Sequence, residues 1–249
     1  MFDAVALKSA ILRSPLGEPA RRVRWLLRSH QRRKHPELWE TYLEEERTPV
    51  VLERIIRPDW RCIDVGAHLG SFLEVLLKLA PHGHHVAFEP SALRCPLLAA
   101  RFPQVEIHRV AIGECAGSAS FYEDRTWGAM SRILPSADAS QTHIVEVRSL
   151  DEMLAHLPRV DFIKLDIEGY ELPALRGGRK IISRDRPIVL MECGGDERME
   201  TFDFVTGELG YELYTLGDFL FDKGPLSRDE FRKCGIYPFR AFNYLALPP

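Results

Sequence analysis

The run Val160-Asp161-Phe162-Ile163-Lys164-Leu165-Asp166-Ile167-Glu168-Gly169-Tyr170-Glu171 places charge inside an apolar stretch. Read as a strand, it puts Phe162, Lys164 and Asp166 on one face and Ile163, Leu165 and Ile167 on the other. A lysine and an aspartate in a strand this apolar must be paired or functional, because lone buried charge is costly. Asp166 falls at the carboxyl end of the strand, where open α/β sheets bind their ligands, and Glu168 lies just beyond it. Either carboxylate could orient or deprotonate a nucleophile, so Asp166 and Glu168 are the candidate catalytic residues. The plainer alternative is a structural network of Lys164, Asp166 and Glu168 that shapes the loop. Glu192 ends another apolar run before Gly194-Gly195 and is either a third carboxylate of the site or a turn cap. The three acids could supply oxygen ligands to Mg²⁺, but no ligand spacing requires a metal.

A second constellation points to a cofactor. Cys62-Ile63-Asp64-Val65-Gly66-Ala67-His68-Leu69-Gly70-Ser71 reads as strand, Gly-rich turn and helix start. Gly66 permits the tight turn, Gly70 permits close packing of helix on strand, and the helix N-terminus can face a carboxylate or phosphate. Such turns are common, so the loop alone is weak. Glu89, 19 residues after Gly70, strengthens it, because a carboxylate there can accept both hydroxyls of a ribose. Nicotinamide enzymes share that logic but keep a full G-x-G-x-x-G, and the middle position here is His68. S-adenosylmethionine, with a ribose and a free amino-acid end, fits better. His68 itself is expected to point at solvent or cap the backbone.

These residues need a frame, and the surrounding pattern supplies one. From Trp60 onward, short apolar runs at 61–65, 85–88, 105–110, 161–165 and 188–192 alternate with helical stretches at 71–79, 91–102 and 170–184, the last broken at Gly177-Gly178. Alternating βαβ units imply a parallel sheet with helices on both faces. Residues 117–122 and 144–147 interrupt the rhythm as strands with polar loops between them. A helix at 199–209 leads to two last strands, 211–216 and 242–247, expected to pair antiparallel in a hairpin-like end. The fold class is therefore α/β, a Rossmann-like, seven-stranded, mostly parallel sheet. It occupies a domain at 59–249, behind a helical N-terminal extension at 1–58. Within 37–56, Pro49 should break the helix in two. The segment could lie across the mouth of the core as a lid, or form a dimer contact.

Composition sets the remaining bounds. A chain of 249 residues suits one large domain or a core with a small appendage. No apolar run approaches the roughly 18 residues needed to cross a bilayer, and no secretory signal is evident. Five cysteines, with none in CxxC spacing, argue against a disulfide framework or zinc knuckle and fit a reducing cytoplasm. The net charge of −3 divides into +7 over residues 1–35 and −10 over the rest. The basic arm, with Arg21, Arg22, Arg24, Arg28, Arg32, Arg33 and Lys34, is either a solvated helix face or a surface for anionic lipid headgroups. The second alternative would place the protein at the inner membrane surface.

The order CIDVGAHLGSF, VAFEP, VAIGE, VRSLDEML, DFIKLDIEGYELPALRGG, PIVLMECGG and FNYLALPP resembles the FkbM-type methyltransferase family, over roughly residues 53–247. Its most specific part is Lys164-x-Asp166-x-Glu168-Gly169-x-Glu171 followed by Gly177-Gly178. The resemblance implies a class I, S-adenosylmethionine-dependent methyltransferase acting mainly on hydroxyl groups of sugars or polyketide-type natural products. It implies cofactor binding at Asp64, Gly66, Ala67, Gly70, Ser71 and Glu89, and a substrate-side role near Asp166 and Glu168. Ala111, in VAIGE, is a further cofactor-binding candidate. His68, where the family usually has Asn, and the missing Asn in the helix after Glu89 depart from the pattern. The basic arm is not explained by it.

An O-methyltransferase is the leading reading, with polysaccharide biosynthesis as its setting and a glycan or small-molecule acceptor. Methylation of nitrogen or nucleic acid is second. Asp166-Ile167-Glu168-Gly169 lacks the proline-rich platform that base methylases use for a flipped base, and the acidic remainder disfavours a nucleic-acid partner. A non-catalytic adenosylmethionine-binding protein is third, and the intact Gly66, Gly70 and Glu89 argue against it. Homo-oligomerisation is left open. Acceptor specificity is expected in the N-terminal helices and in residues 123–143 and 217–240.

Overall fold

The computed structural model describes residues 39–123, 132–134 and 142–249. The basic arm and most of the loop after Glu123 lie outside the described residues. The main sheet has seven strands: β1 Cys62–Val65, β2 Val86–Phe88, β3 Glu106–His108, β8 Phe162–Leu165, β9 Ile188–Glu192, β10 Glu212–Thr215 and β11 Asn243–Leu247. Their spatial order is β10-β11-β9-β8-β1-β2-β3. β11 alone runs antiparallel, wedged between β9 and β10. The expected hairpin-like end is thus corrected: the last two strands do pair, but a long connection carrying α8 Leu216–Leu220 and α9 Arg228–Cys234 joins them. That detour lets the final strand insert inside the sheet rather than extend its edge.

Helices α2 Ser71–Leu79, α3 Arg94–Arg101, α5 Glu171–Gly177, α6 Arg179–Asp185 and α7 Arg198–Asp203 link these strands. The break at Gly178 between α5 and α6 is as expected from the sequence. Strand residues on one face (Ile63, Val65, Ile163, Leu165, Val189, Met191) join one core cluster. Those on the other (Cys62, Ala87, Phe162, Leu190, Leu245) join a second. Burial on both faces explains why these strands read as unbroken apolar runs.

The interrupting segment is a second sheet of β4 Ala111–Ile112, β5 Gly117–Tyr122, β6 Arg132–Leu134 and β7 Thr142–Arg148, in the order β4-β7-β5-β6. Its own small core is Ala111, Phe121, Val145 and Val147. The run expected as one strand at 105–110 therefore ends at His108, and the chain crosses to the second sheet. The short helix α4, Leu150–Met153, returns it to the first.

Helix α1, Trp39–Ile55, runs straight through Pro49, so the expected break does not occur. A proline inside a helix costs about 3 kcal/mol. Beyond it Val51 and Leu52 are fully buried in the second cluster, each contributing roughly 1.5–3 kcal/mol, which outweighs the loss. Through these residues α1 shares the second core cluster with the sheet. Among the described residues, no helix is long and apolar enough to cross a membrane.

Candidate active site

The loop between β1 and α2 is held by backbone bonds. Gly66 N and Ala67 N both donate to Phe88 O, at 3.0 and 3.1 Å. Gly66 has φ +80°, and a Cβ there would overlap the carbonyl oxygen of Asp166 at the end of β8. Gly70 has φ +79°, and its Cβ would strike the ring of Phe102 just past α3. Both positions thus require glycine twice over, for conformation and for space. For Gly70 the close neighbour is the region of α3, not the strand expected from sequence. Ala67 is buried and Ser71 exposed, at the first turn of α2, whose N–H groups have no intrahelical partner.

Glu89 follows β2 and is almost wholly buried. One carboxylate oxygen accepts from His68 N at 2.8 Å and the other from Ser91 N at 3.0 Å. Arg94 Nη1 stands 3.8 Å from the second. Burial pushes the Glu89 pKa up, against the pull of Arg94 and the two N–H groups. Each oxygen keeps a lone pair, which is what two ribose hydroxyls need. Ser91 Oγ also donates to Glu123, a second buried carboxylate, and His143 Nε2 lies 4.0 Å from Glu123. The stems of the second sheet therefore bring a carboxylate and an imidazole up to Ser91, beside Glu89.

Lys164 is the hub of the other half. It is adjacent to Asp64 in the parallel register of β1 and β8. Its ammonium lies 3.2 Å from Asp64 Oδ1 and 3.3 Å from Asp166 Oδ2, and donates to Gly66 O at 3.2 Å. Burial lowers the Lys164 pKa, but the two aspartates outweigh it and raise it overall. One buried cation thus ties the glycine turn after β1 to the end of β8. For Asp166, burial raises the pKa, while Lys164, a hydrogen bond with Glu192 and nearby His68 bring the net shift down. Glu192 is pushed up to about 9, first by burial and then by the charge on Asp166. The two carboxyl groups thus work against each other: the charge on Asp166 favours the protonated form of Glu192. Carboxylate oxygens of Asp166, Glu168 and Glu192 lie within 4.8 Å of one another, close enough to share a hard cation.

Backbone strain gathers at this pole. Glu168 has φ +56° and His68 φ +52°, both non-glycine residues in the left-handed region. Such positions cost on the order of 1–3 kcal/mol and cluster at functional sites. Glu171, buried, holds the loop by accepting from Ile167 N at 3.1 Å and Gly169 N at 3.2 Å.

Asp166, Glu168, Gly66, Ala67, Gly70, Ser71 and Glu89 all fall at the carboxyl ends of the central parallel strands or in the loops leaving them. Two cofactor-binding candidates are set back from the pocket surface. Asp64 has no exposed surface and faces Lys164 beneath the loop. Ala111 points into the small core of the second sheet, leaving only its backbone for a ligand. His68 is half-buried, and it stands near enough to Asp166 to act on its charge. Arg94, Ser91 and Glu123 were not singled out for this pocket from sequence. Only the tertiary fold brings Glu123 to Ser91 and Glu89.

The strand order, the single antiparallel strand and the ligand-facing carboxyl pole define a Rossmann-like class I methyltransferase fold. The chain belongs to the FkbM methyltransferase family, whose domain it matches over residues 64–216, and which uses S-adenosylmethionine. It is similar to the AMB antimetabolite synthetase AmbE of Pseudomonas aeruginosa, at 25% identity over 55% of this chain and 8% of that one. It is also similar to the 2-O-methyltransferase NoeI of Sinorhizobium fredii, at 24% identity over 55% of this chain and 64% of that one. The chain thus spans less than two thirds of either relative. An FkbM methyltransferase structure from Methylobacillus flagellatus aligns with 18% identity and a TM-score of 0.49, over 80% of this chain and 50% of that one.

Proposed function

We propose that the protein is an O-methyltransferase that moves the methyl group of S-adenosylmethionine to a hydroxyl of a sugar, glycan or similar natural product. The observation that carries this reading is geometric: Asp166, Glu168 and Glu192 gather carboxylate oxygens within 4.8 Å of one another at the end of β8, against the Gly66 turn. A sulfonium methyl is already activated, so the protein must supply alignment and a destination for one proton. As the acceptor oxygen bonds to the methyl carbon, the carbon–sulfur bond breaks and adenosylhomocysteine leaves. Asp166 orients the hydroxyl and takes its proton. Because its pKa is low, Asp166 is a weak base, and the proton moves late, once the oxygen has gained positive charge. Lys164 fixes the carboxylate, and Glu192 keeps a second negative charge off the pair. Glu89 and the first turn of α2 hold the ribose and the amino-acid end of the cofactor. The name of NoeI agrees with a hydroxyl acceptor.

The test is transfer of labelled methyl from S-adenosylmethionine to a panel of glycans and small alcohols. The reading expects a stable methyl ether on a hydroxyl oxygen. Label found on nitrogen or in nucleic acid would overturn it.

A further inference from the structure

Between α9 and β11, residues 235–242 form a strap pinned at both ends. At its start, a side chain on Gly235 would overlap the guanidinium of Arg198. That guanidinium in turn donates to Phe231 O at 2.9 Å and the Tyr244 hydroxyl at 3.0 Å. Arg240 N donates to Cys234 O at 3.0 Å and closes the loop. At its end, Glu44 of α1 is buried and accepts from Phe242 N at 2.9 Å and from Asn243 N at 3.0 Å. Cys193 N donates to Phe242 O at 2.8 Å, and Asn243 pairs in register with Glu192. The strap therefore ends beside the carboxylate cluster.

Its middle faces water. Tyr237 is 63% exposed and Phe239 37%. Their rings lie 6.0 Å apart and nearly perpendicular, and Phe239 lies 5.3 Å from Phe242. Three aromatic rings thus run in contact from the Glu192 end of the strap outward. A loop so firmly anchored, yet with its rings turned out, is not explained by the core. A group of three side chains is also far short of the roughly 800 Å² per partner of a lasting protein interface.

We propose that Tyr237, Phe239 and Phe242 form the platform on which a sugar ring of the acceptor stacks while its hydroxyl reaches Asp166. This rests on the sugar-hydroxyl reading above. A pyranose has an apolar C–H face and a polar edge. The rings suit the face, and the polar loop at 194–196 and the half-exposed guanidinium of Arg240, 3.9 Å from Asp218, suit the edge. Gly66 and Glu89 lie at the ends of β1 and β2, where the reading above puts the cofactor, which leaves the β9–β11 side of the same pole for the acceptor.

The test is saturation-transfer NMR with methyl glycosides of glucose, galactose, mannose and 6-deoxy sugars, in the presence of adenosylhomocysteine. The wild type should transfer saturation to the ring C–H protons of at least one glycoside. Tyr237→Ala with Phe239→Ala should weaken that binding about tenfold, the value expected for losing two aromatic contacts. Adenosylhomocysteine affinity should stay unchanged, and Tyr237→Phe should retain glycoside binding. Glycoside binding equal in wild type and double variant overturns the platform and leaves the sugar reading standing. No glycoside binding by a wild type that still binds adenosylhomocysteine overturns both.

Discussion

The two sides of the active pole are built differently. The cofactor side, at the ends of β1 and β2, is made of backbone and buried groups: Gly66, Gly70, and a Glu89 carboxylate held by two N–H donors. The acceptor side, at the ends of β8 and β9, is made of carboxylates whose charge depends on one another, with aromatic rings beyond. A rigid half suits a ligand that is the same in every turnover. A half built from tunable side chains suits a group that must be oriented and give up a proton. Lys164 joins them, since it touches Gly66 O, Asp64 and Asp166 at once.

The largest effect should come from breaking the rigid half. Gly66→Val would place a branched side chain at φ +80° against the Asp166 carbonyl. We expect loss of adenosylhomocysteine binding together with a lowered thermal midpoint, measured by calorimetry. A variant with wild-type midpoint and affinity would show that the loop is not fixed as described.

A smaller effect should sharpen the tunable half. Glu192 is pushed up to about 9, above its ordinary value, so its protonated form persists through neutral pH. Turnover should fall as pH rises through about 9, when a second charge appears beside Asp166. The same shift favours the folded state below the ordinary glutamate pKa, and that contribution is lost as pH rises toward 9. Glu192→Gln, which cannot ionise, should remove the alkaline fall in rate and change neutral turnover by only a few-fold, as roughly expected for losing one hydrogen bond. An unchanged alkaline limb would mean that another group sets it.

The rigid half was the more legible in sequence. A strand, a glycine turn and a helix start are local features, and Glu89 sits at a spacing fixed by one βα unit. The carboxylates were visible too, because acids in an apolar strand stand out. What could not be read were partners set by topology. Asp64 meets Lys164 only because β1 and β8 are neighbours in register. Glu44 meets Asn243 across 199 residues of sequence because β11 inserts beside β9. Ala111 packs in the second sheet because the chain leaves the main sheet before it. Pro49 misled because local propensity was outweighed by the burial of Val51 and Leu52.

The division between the two halves is tested most directly by crossing two variants with two measurements: adenosylhomocysteine affinity by titration calorimetry, and turnover at saturating cofactor. Glu89→Ala should weaken affinity by on the order of 1.5–3 kcal/mol, the range for hydrogen bonds to a charged group. Asp166→Asn should leave affinity within about threefold, less than 1 kcal/mol, yet reduce turnover by roughly 10²–10⁴. If Asp166→Asn instead loses cofactor binding as Glu89→Ala does, or keeps wild-type turnover, the two halves are not separate and Asp166 is not where the acceptor reacts.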